Sequence, residues 1–168
     1  GHTFKTKSDT EVIVHAYEAW GDDAFRRFNG QWAVGLWDSR AKKLVLSRDR
    51  LGGRPLYYAE GPAGRIAFAS EVKALFAGDP SLRRAFDPTG LAETFTFWSI
   101  VPPQSIFEGI RELEPGHTRT YEGGRVTDQA YWEQRYGGFE GTLDDAVEAV
   151  RAALLQATKL RMLRADVP

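Results

Sequence analysis

The sequence predicts an α+β domain, and three observations carry that expectation. Segments with apolar residues at helical spacing lie near both ends of the chain. Between them run short apolar segments separated by turn residues. Several of those segments sit close enough in sequence to pair as antiparallel hairpins.

Taken in order, Ser8-Asp9-Thr10-Glu11 precedes Val12, Ile13, Ala16, Tyr17 and Trp20. Ser8 or Asp9 can therefore cap a helix whose apolar face recurs every three or four residues, and Gly21 stops it. A second short helix follows over Asp22 to Phe28, and Asn29-Gly30 turns the chain into a strand. Gln31 to Trp37, the Asp38-Ser39-Arg40 turn and Lys43 to Ser47 read as one hairpin. Pro55 to Ala59, a Gly-Pro-Ala-Gly turn and Arg65 to Ala69 read as another. Near-continuous apolar strands imply a sheet covered on both faces.

Ser70-Glu71 opens a short helix through Phe76, and Asp87-Pro88 opens one through about Phe97, with proline in the favoured first turn. Val101-Pro102-Pro103 is extended, and residues 116 to 131 form a last hairpin with Gly123-Gly124 at its tip. After the glycine-rich Tyr136 to Gly141, Thr142 and Asp145 make a capping box. Leu143, Val147, Val150, Leu154, Ala157 and Leu160 then form an apolar stripe.

The bulk numbers bound the function. The 168 residues are 42% hydrophobic, enough for one cored domain and a tail. Lys+Arg 22 against Asp+Glu 23 leaves a net charge of -1, and no run of like charge provides the footprint that nucleic acid or anionic lipid needs. With no cysteine, disulfides, thiolate metal sites and a cysteine nucleophile are excluded within the chain. No apolar stretch suits a membrane span or a signal peptide, so a cytoplasmic protein is expected. The chain opens without an initiator Met on a patterned segment and stops at Pro168 directly after a helical run, so an internal piece of a longer protein is expected.

Candidate chemistry is sparse. His2, His15 and His117 are scattered without metal-ligand spacing, so each reads as structural or surface and no metal site is expected. Gly52-Gly53 follows charged residues and runs into Pro55, a turn rather than a phosphate loop. Asp9, a carboxylate at a helix start, can cap backbone N–H groups or bind a ligand. Arg48-Asp49-Arg50 alternates charge at a strand end and reads as a partly buried ion-pair network holding the next loop.

At these residues a family resemblance emerges. Phe28-Asn29-Gly30-Gln31-Trp32-Ala33, Trp37-Asp38, Arg48-Asp49-Arg50-Leu51-Gly52, Pro55-Leu56-Tyr57-Tyr58 and Ala69-Ser70-Glu71-Val72-Lys73-Ala74-Leu75, in that order, resemble the class II glutamine amidotransferase domain of asparagine synthetases. Gly1-His2-Thr3-Phe4 through Ser8-Asp9-Thr10-Glu11-Val12 is similar to the preceding motif. Val101-Pro102-Pro103, Ile106-Phe107, Leu113-Glu114-Pro115-Gly116-His117 and Tyr131-Trp132 are similar to the interdomain region, and Arg164-Ala165-Asp166-Val167-Pro168 to the approach to the ATP-pyrophosphatase loop.

The resemblance implies part of a four-layer αββα N-terminal-nucleophile hydrolase domain, in which a first-residue Cys uses its own amino group as base to release ammonia from glutamine. It implies residues 1–132 as the C-terminal portion of that glutaminase domain, 133–141 as a linker, and 142–168 as the first helix of an asparagine synthetase domain. That second domain would use ATP and Mg²⁺ to adenylate aspartate, and ammonia would cross a tunnel to displace AMP. Asp9 corresponds to the carboxylate that pairs with the α-amino group of glutamine. Arg48 and Asp49 carry over as structural support, and His117 as a conformational residue of the Pro-Gly-His turn. No catalytic residue maps onto the chain: the Cys, a glutamine-holding Arg and an Asn-Gly oxyanion pair belong before Gly1, and the Ser-Gly-Gly-x-Asp-Ser loop after Pro168. Gly53 and Arg54 stand where a bulky residue and Lys are more usual.

The chain alone is thus expected to be inert and to bind no cofactor. Glutamine, aspartate and ATP are the expected substrates of the parent, with neither nucleic acid nor membrane as partner. Strands left without their neighbours lead us to expect a homodimer or self-association. The alternatives are a β-lactam synthetase-like or lasso-peptide cyclase-like amide-forming paralogue, and a non-catalytic interaction module.

Overall fold

A computed structural model describes residues 1–163, and the Arg164–Pro168 motif lies outside the described residues. The chain divides into two compact units, Gly1–Glu133 and Gln134–Pro168.

In the first unit, helix α1 (Asp9–Trp20) is capped by Ser8, whose side chain accepts from the Thr10 amide, and Gly21 ends it with a positive φ. A 3₁₀ turn over Gly21–Asp23 leads into a single-turn helix α2 (Ala24–Arg27). Strands β1 (Ala33–Asp38) and β2 (Lys43–Arg48) form the first expected hairpin. Strands β3 (Tyr57–Glu60) and β4 (Ile66–Ala69) form the second. Helices α3 (Val72–Gly78) and α4 (Pro88–Phe97) follow, the latter capped by Asp87, which accepts from the Thr89 and Gly90 amides. A three-residue strand β5 (Ile110–Glu112) precedes the hairpin of β6 (His117–Glu122) and β7 (Arg125–Ala130).

These strands build two antiparallel sheets, of order β1-β2-β6-β7 and β4-β3-β5. The two hairpins expected at 31–47 and 116–131 thereby become one sheet, joined where β2 pairs with β6. Leu46 of β2, Tyr121 of β6, Tyr58 of β3, Leu56 and Leu113 form a single buried cluster, so the sheets pack face to face. Gly35 lies at a close approach within this packing, because a Cβ there would meet the Phe68 ring of β4 at 2.3 Å.

Alternation along β2 decides what covers its other face. Lys43 reaches Asp22 at 2.6 Å, Val45 is fully buried, and Ser47 accepts from the Trp32 indole N–H. The α1–α2 segment therefore lies over the outer face of the first sheet. On the second sheet, Ala59 of β3 and Ile110 of β5 bury against Leu75 of α3, with Ala67, Ala69, Val72 and Phe76 around them.

The second unit contains helix α5 (Leu143–Met162), opened by the expected capping box: the Thr142 side chain accepts from the Asp145 amide, and the Asp145 carboxylate accepts from the Thr142 amide. Among its described residues, α5 is the only regular element. No helix among the described residues is long and apolar enough to cross a membrane.

Candidate functional site

The N-terminus of α1 is organised by two carboxylates with different roles. Ser8 takes the cap position, so Asp9 is the first helical residue rather than the cap. Its carboxylate is exposed and makes no side-chain hydrogen bond among the described residues. Glu11, two residues on, is fully engaged: the Lys5 and Thr6 amides donate to it at 2.7 Å each, and the Thr6 hydroxyl donates as well. Those donors hold the Glu11 carboxyl well below its ordinary range, at about 2. Glu11 thus fastens the segment before the helix, while Asp9 remains available at a helix end whose unsatisfied N–H groups favour a negative charge.

The Arg48-Asp49-Arg50 alternation holds the following loop, but not by pairing its own charges. Asp49 is buried, and its two oxygens accept from the backbone amides of Trp32, Leu51, Gly53 and Arg54 at 2.9–3.2 Å. Arg48, also buried, donates to the carbonyls of Gly52, Arg54 and Leu113 and pairs with Glu112 at 2.8 Å. Burial pushes the Glu112 carboxyl up, with Arg48 pulling against it. Arg50 donates to the Arg26 carbonyl at 2.9 Å. The amides of Gly53 and Arg54 point inward to Asp49, which removes the donors a phosphate cradle needs. The loop therefore does not fit a nucleotide phosphate.

At the other end of the sheets, Arg119 of β6 donates to Glu60 of β3 at 2.7 Å, to Asp128 of β7 at 2.8 Å and to the Tyr121 hydroxyl at 2.9 Å. A cleft of about 510 Å³ lies nearby among the hairpin tips, lined by Trp37, Lys42, Glu60, Arg65, Tyr121 and Arg125 among others. A second, of about 520 Å³, opens beside Arg65, Phe68, Leu75 and Asp79. Asp9 lines neither.

His117 is half-buried at the start of β6, with Nδ1 at 3.0 Å from the Pro115 carbonyl. Gly116 before it has φ 71°, and a Cβ there would meet the Trp132 carbonyl oxygen at 2.4 Å, so the Pro-Gly-His turn requires glycine. The Tyr131 hydroxyl donates to the Arg48 carbonyl at 2.6 Å and ties the last strand to the loop at Asp49.

Sequence reading missed Glu112 and Glu11. Glu112 is brought to Arg48 only by the β3–β5 pairing, which has no local signal. Glu11 was legible as a first-turn acid, but its partners Lys5 and Thr6 were not. The fold also brings His2 and His15, read above as scattered, to a ring-centroid distance of 4.6 Å.

Two packed antiparallel sheets, with an exposed carboxylate at the start of a covering helix, define the protein as an α+β domain. Residues 1–132 match the family described as the glutamine amidotransferase domain, and the chain belongs to that family. It is 37% identical over its full length to asparagine synthetase [glutamine-hydrolyzing] 3 of Bacillus subtilis (strain 168), covering 27% of that protein. It is 29% identical to asparagine synthetase [glutamine-hydrolyzing] 1 of the same organism, covering 26% of it. The amidase chry2 of Gibberella zeae is 31% identical over 98% of the chain, which covers 24% of that protein. The chain thus spans about a quarter of the length of these relatives.

Proposed function

We propose that this chain is the second portion of the glutaminase domain of a glutamine-dependent asparagine synthetase, with Asp9 as its contribution to substrate binding. The supporting observation is the division of labour at α1. Ser8 caps the helix and Glu11 fastens the preceding segment, which leaves the exposed Asp9 carboxylate free of both tasks. On this reading the carboxylate forms a charge-assisted hydrogen bond with the α-amino group of glutamine. The paired sheets between α1–α2 and α3 are the centre of a four-layer αββα N-terminal-nucleophile fold, and α5 begins the synthetase domain.

The nucleophile belongs to the rest of the parent, since the chain has no cysteine. ATP and Mg²⁺ are assigned to the synthetase domain, where they would activate aspartate. The loop at Gly52-Gly53 gives no phosphate site, because its amides are taken up by Asp49. The isolated chain is inert toward glutamine, and the parent acts in the cytoplasm.

A second reading is an amide-forming paralogue with another acceptor; what speaks for a function other than asparagine synthesis is that two fungal relatives, at 31% and 30% identity, carry a different name, amidase chry2 and amidase chyE. One experiment separates the two. The enclosing reading frame is supplied with amide-¹⁵N glutamine, aspartate and ATP-Mg²⁺, and the product is followed by NMR. Label appearing in asparagine supports the first reading; glutamine hydrolysis without labelled asparagine favours the second.

A further inference from the structure

Helix α1 presents His15 and Glu18 one turn apart, and the segment before the helix lays His2 across them. One ligand atom of each residue lies within 4.8 Å of those of the other two, and no other such group of three occurs among the described residues. Nδ1 of His2 lies 3.5 Å, and Nδ1 of His15 3.1 Å, from Glu18 Oε2. Ligands at ordinary zinc distances around a tetrahedral ion are separated by about 3.4 Å. Two edges of the triangle are therefore already near the size of a zinc site, and rotation of the exposed His2 ring closes the third.

The surroundings prepare this cluster. The Phe4 ring packs edge-on against His15 at 4.9 Å, and Glu11 clamps Lys5 and Thr6, so the segment carrying His2 is held on the helix from both sides. The far nitrogen of His15, Nε2, is buried without a hydrogen-bond partner and lies 3.5 Å from Glu11 Oε1. A carboxylate behind the second ring nitrogen is the arrangement that orients a metal-bound imidazole and fixes its tautomer. The Lys5 and Thr6 amides fix the Glu11 carboxylate in place for that role.

We infer that His2, His15 and Glu18 form a binding site for a divalent transition-metal ion of the zinc type, with Glu11 orienting His15 from behind. Three ligands leave at least one position for water, so the site is open rather than closed. Its chemistry is independent of Asp9, and its failure would leave the glutamine reading untouched.

The test titrates zinc chloride into the full 168-residue chain against a chromophoric chelator. One zinc per chain is expected, with Glu18→Gln and His2→Ala each weakening binding at least tenfold. Both residues are surface-exposed, so circular dichroism should show the fold intact. His15→Gln should weaken binding equally; retention of affinity there would take His15 out of the site and overturn the proposal. X-ray absorption should show two imidazoles and one carboxylate. Absence of stoichiometric binding, or affinities of the Glu18 and His2 variants within twofold of the parent chain, would also overturn it.

Discussion

Arg48 at the end of β2 and Glu112 in β5 form a buried ion pair at 2.8 Å that links the two sheets. Arg48 also donates to three carbonyls, so its charge is satisfied from several directions. Removing the guanidinium leaves Glu112 buried and unpaired, and costs of this kind run at about 3–5 kcal/mol. Arg48→Met should therefore lower the urea midpoint strongly. Glu112→Gln should cost less, because the carbonyls still hold Arg48. Equal losses in the two variants would show that the pair, and not the carbonyl set, holds the loop.

Asp49 accepts four backbone amides around residues 32 and 51–54. Asp49→Ala strips these donors of their acceptor at a buried position, and a loss of about 3 kcal/mol is expected. Urea unfolding with an unchanged m-value is the readout. A change under 1 kcal/mol would mean that water replaces the carboxylate.

How much of this was readable beforehand divides along a physical line. The caps at Ser8, Asp87 and Thr142, and the hairpins of β1–β2, β3–β4 and β6–β7, follow from residues within a few positions of one another. The pairing of β2 with β6 and of β3 with β5 depends on chain segments far apart, and β5 is three residues long. Charge alternation at 48–50 signalled a held loop, but the pattern invites neighbours to pair. The fold instead gives Arg48 a distant acid and Asp49 the backbone. At the candidate site, the place of Asp9 at the start of α1 was legible, although Ser8 and not Asp9 takes the cap. The meeting of His2 with His15 was not, because it depends on how the irregular segment before α1 folds back.

Gly90 in α4 lies where a Cβ would be 2.1 Å from the Ser105 carbonyl oxygen, whereas one at Gly78 would meet nothing within 4 Å. Gly90→Ala should destabilise by several kcal/mol, since backbone and helix must separate, in the manner of overpacked cores at about 1–3 kcal/mol or more. Gly78→Ala should change stability by less than about 1 kcal/mol. Thermal melts of the two variants make the comparison, and similar values would place α4 away from residue 105.

Glu11 carries a depressed carboxyl in the folded chain, from its ordinary value of 4.5 to about 2. A depressed acid contributes stability above its unfolded pKa and loses it as pH falls through the folded value. The stability that Glu11 contributes should therefore fade as pH falls from about 4.5 to about 2, while the clamp on Lys5 and Thr6 in the folded chain persists until the pH nears 2. Amide proton shifts of Lys5 and Thr6 should titrate with a midpoint near 2. A midpoint near 4.5 would show that the amides do not bind the carboxylate in solution.

The most direct test of the functional reading is Asp9→Asn in the full-length parent, assayed with glutamine and separately with ammonium as nitrogen source. Loss of a charge-assisted hydrogen bond worth about 1.5–3 kcal/mol should raise the KM for glutamine by about 10- to 100-fold. Ammonium-dependent synthesis should be unchanged. An unaltered glutamine KM, or an equal loss with both nitrogen sources, would contradict the assignment of Asp9 to the glutamine ammonium.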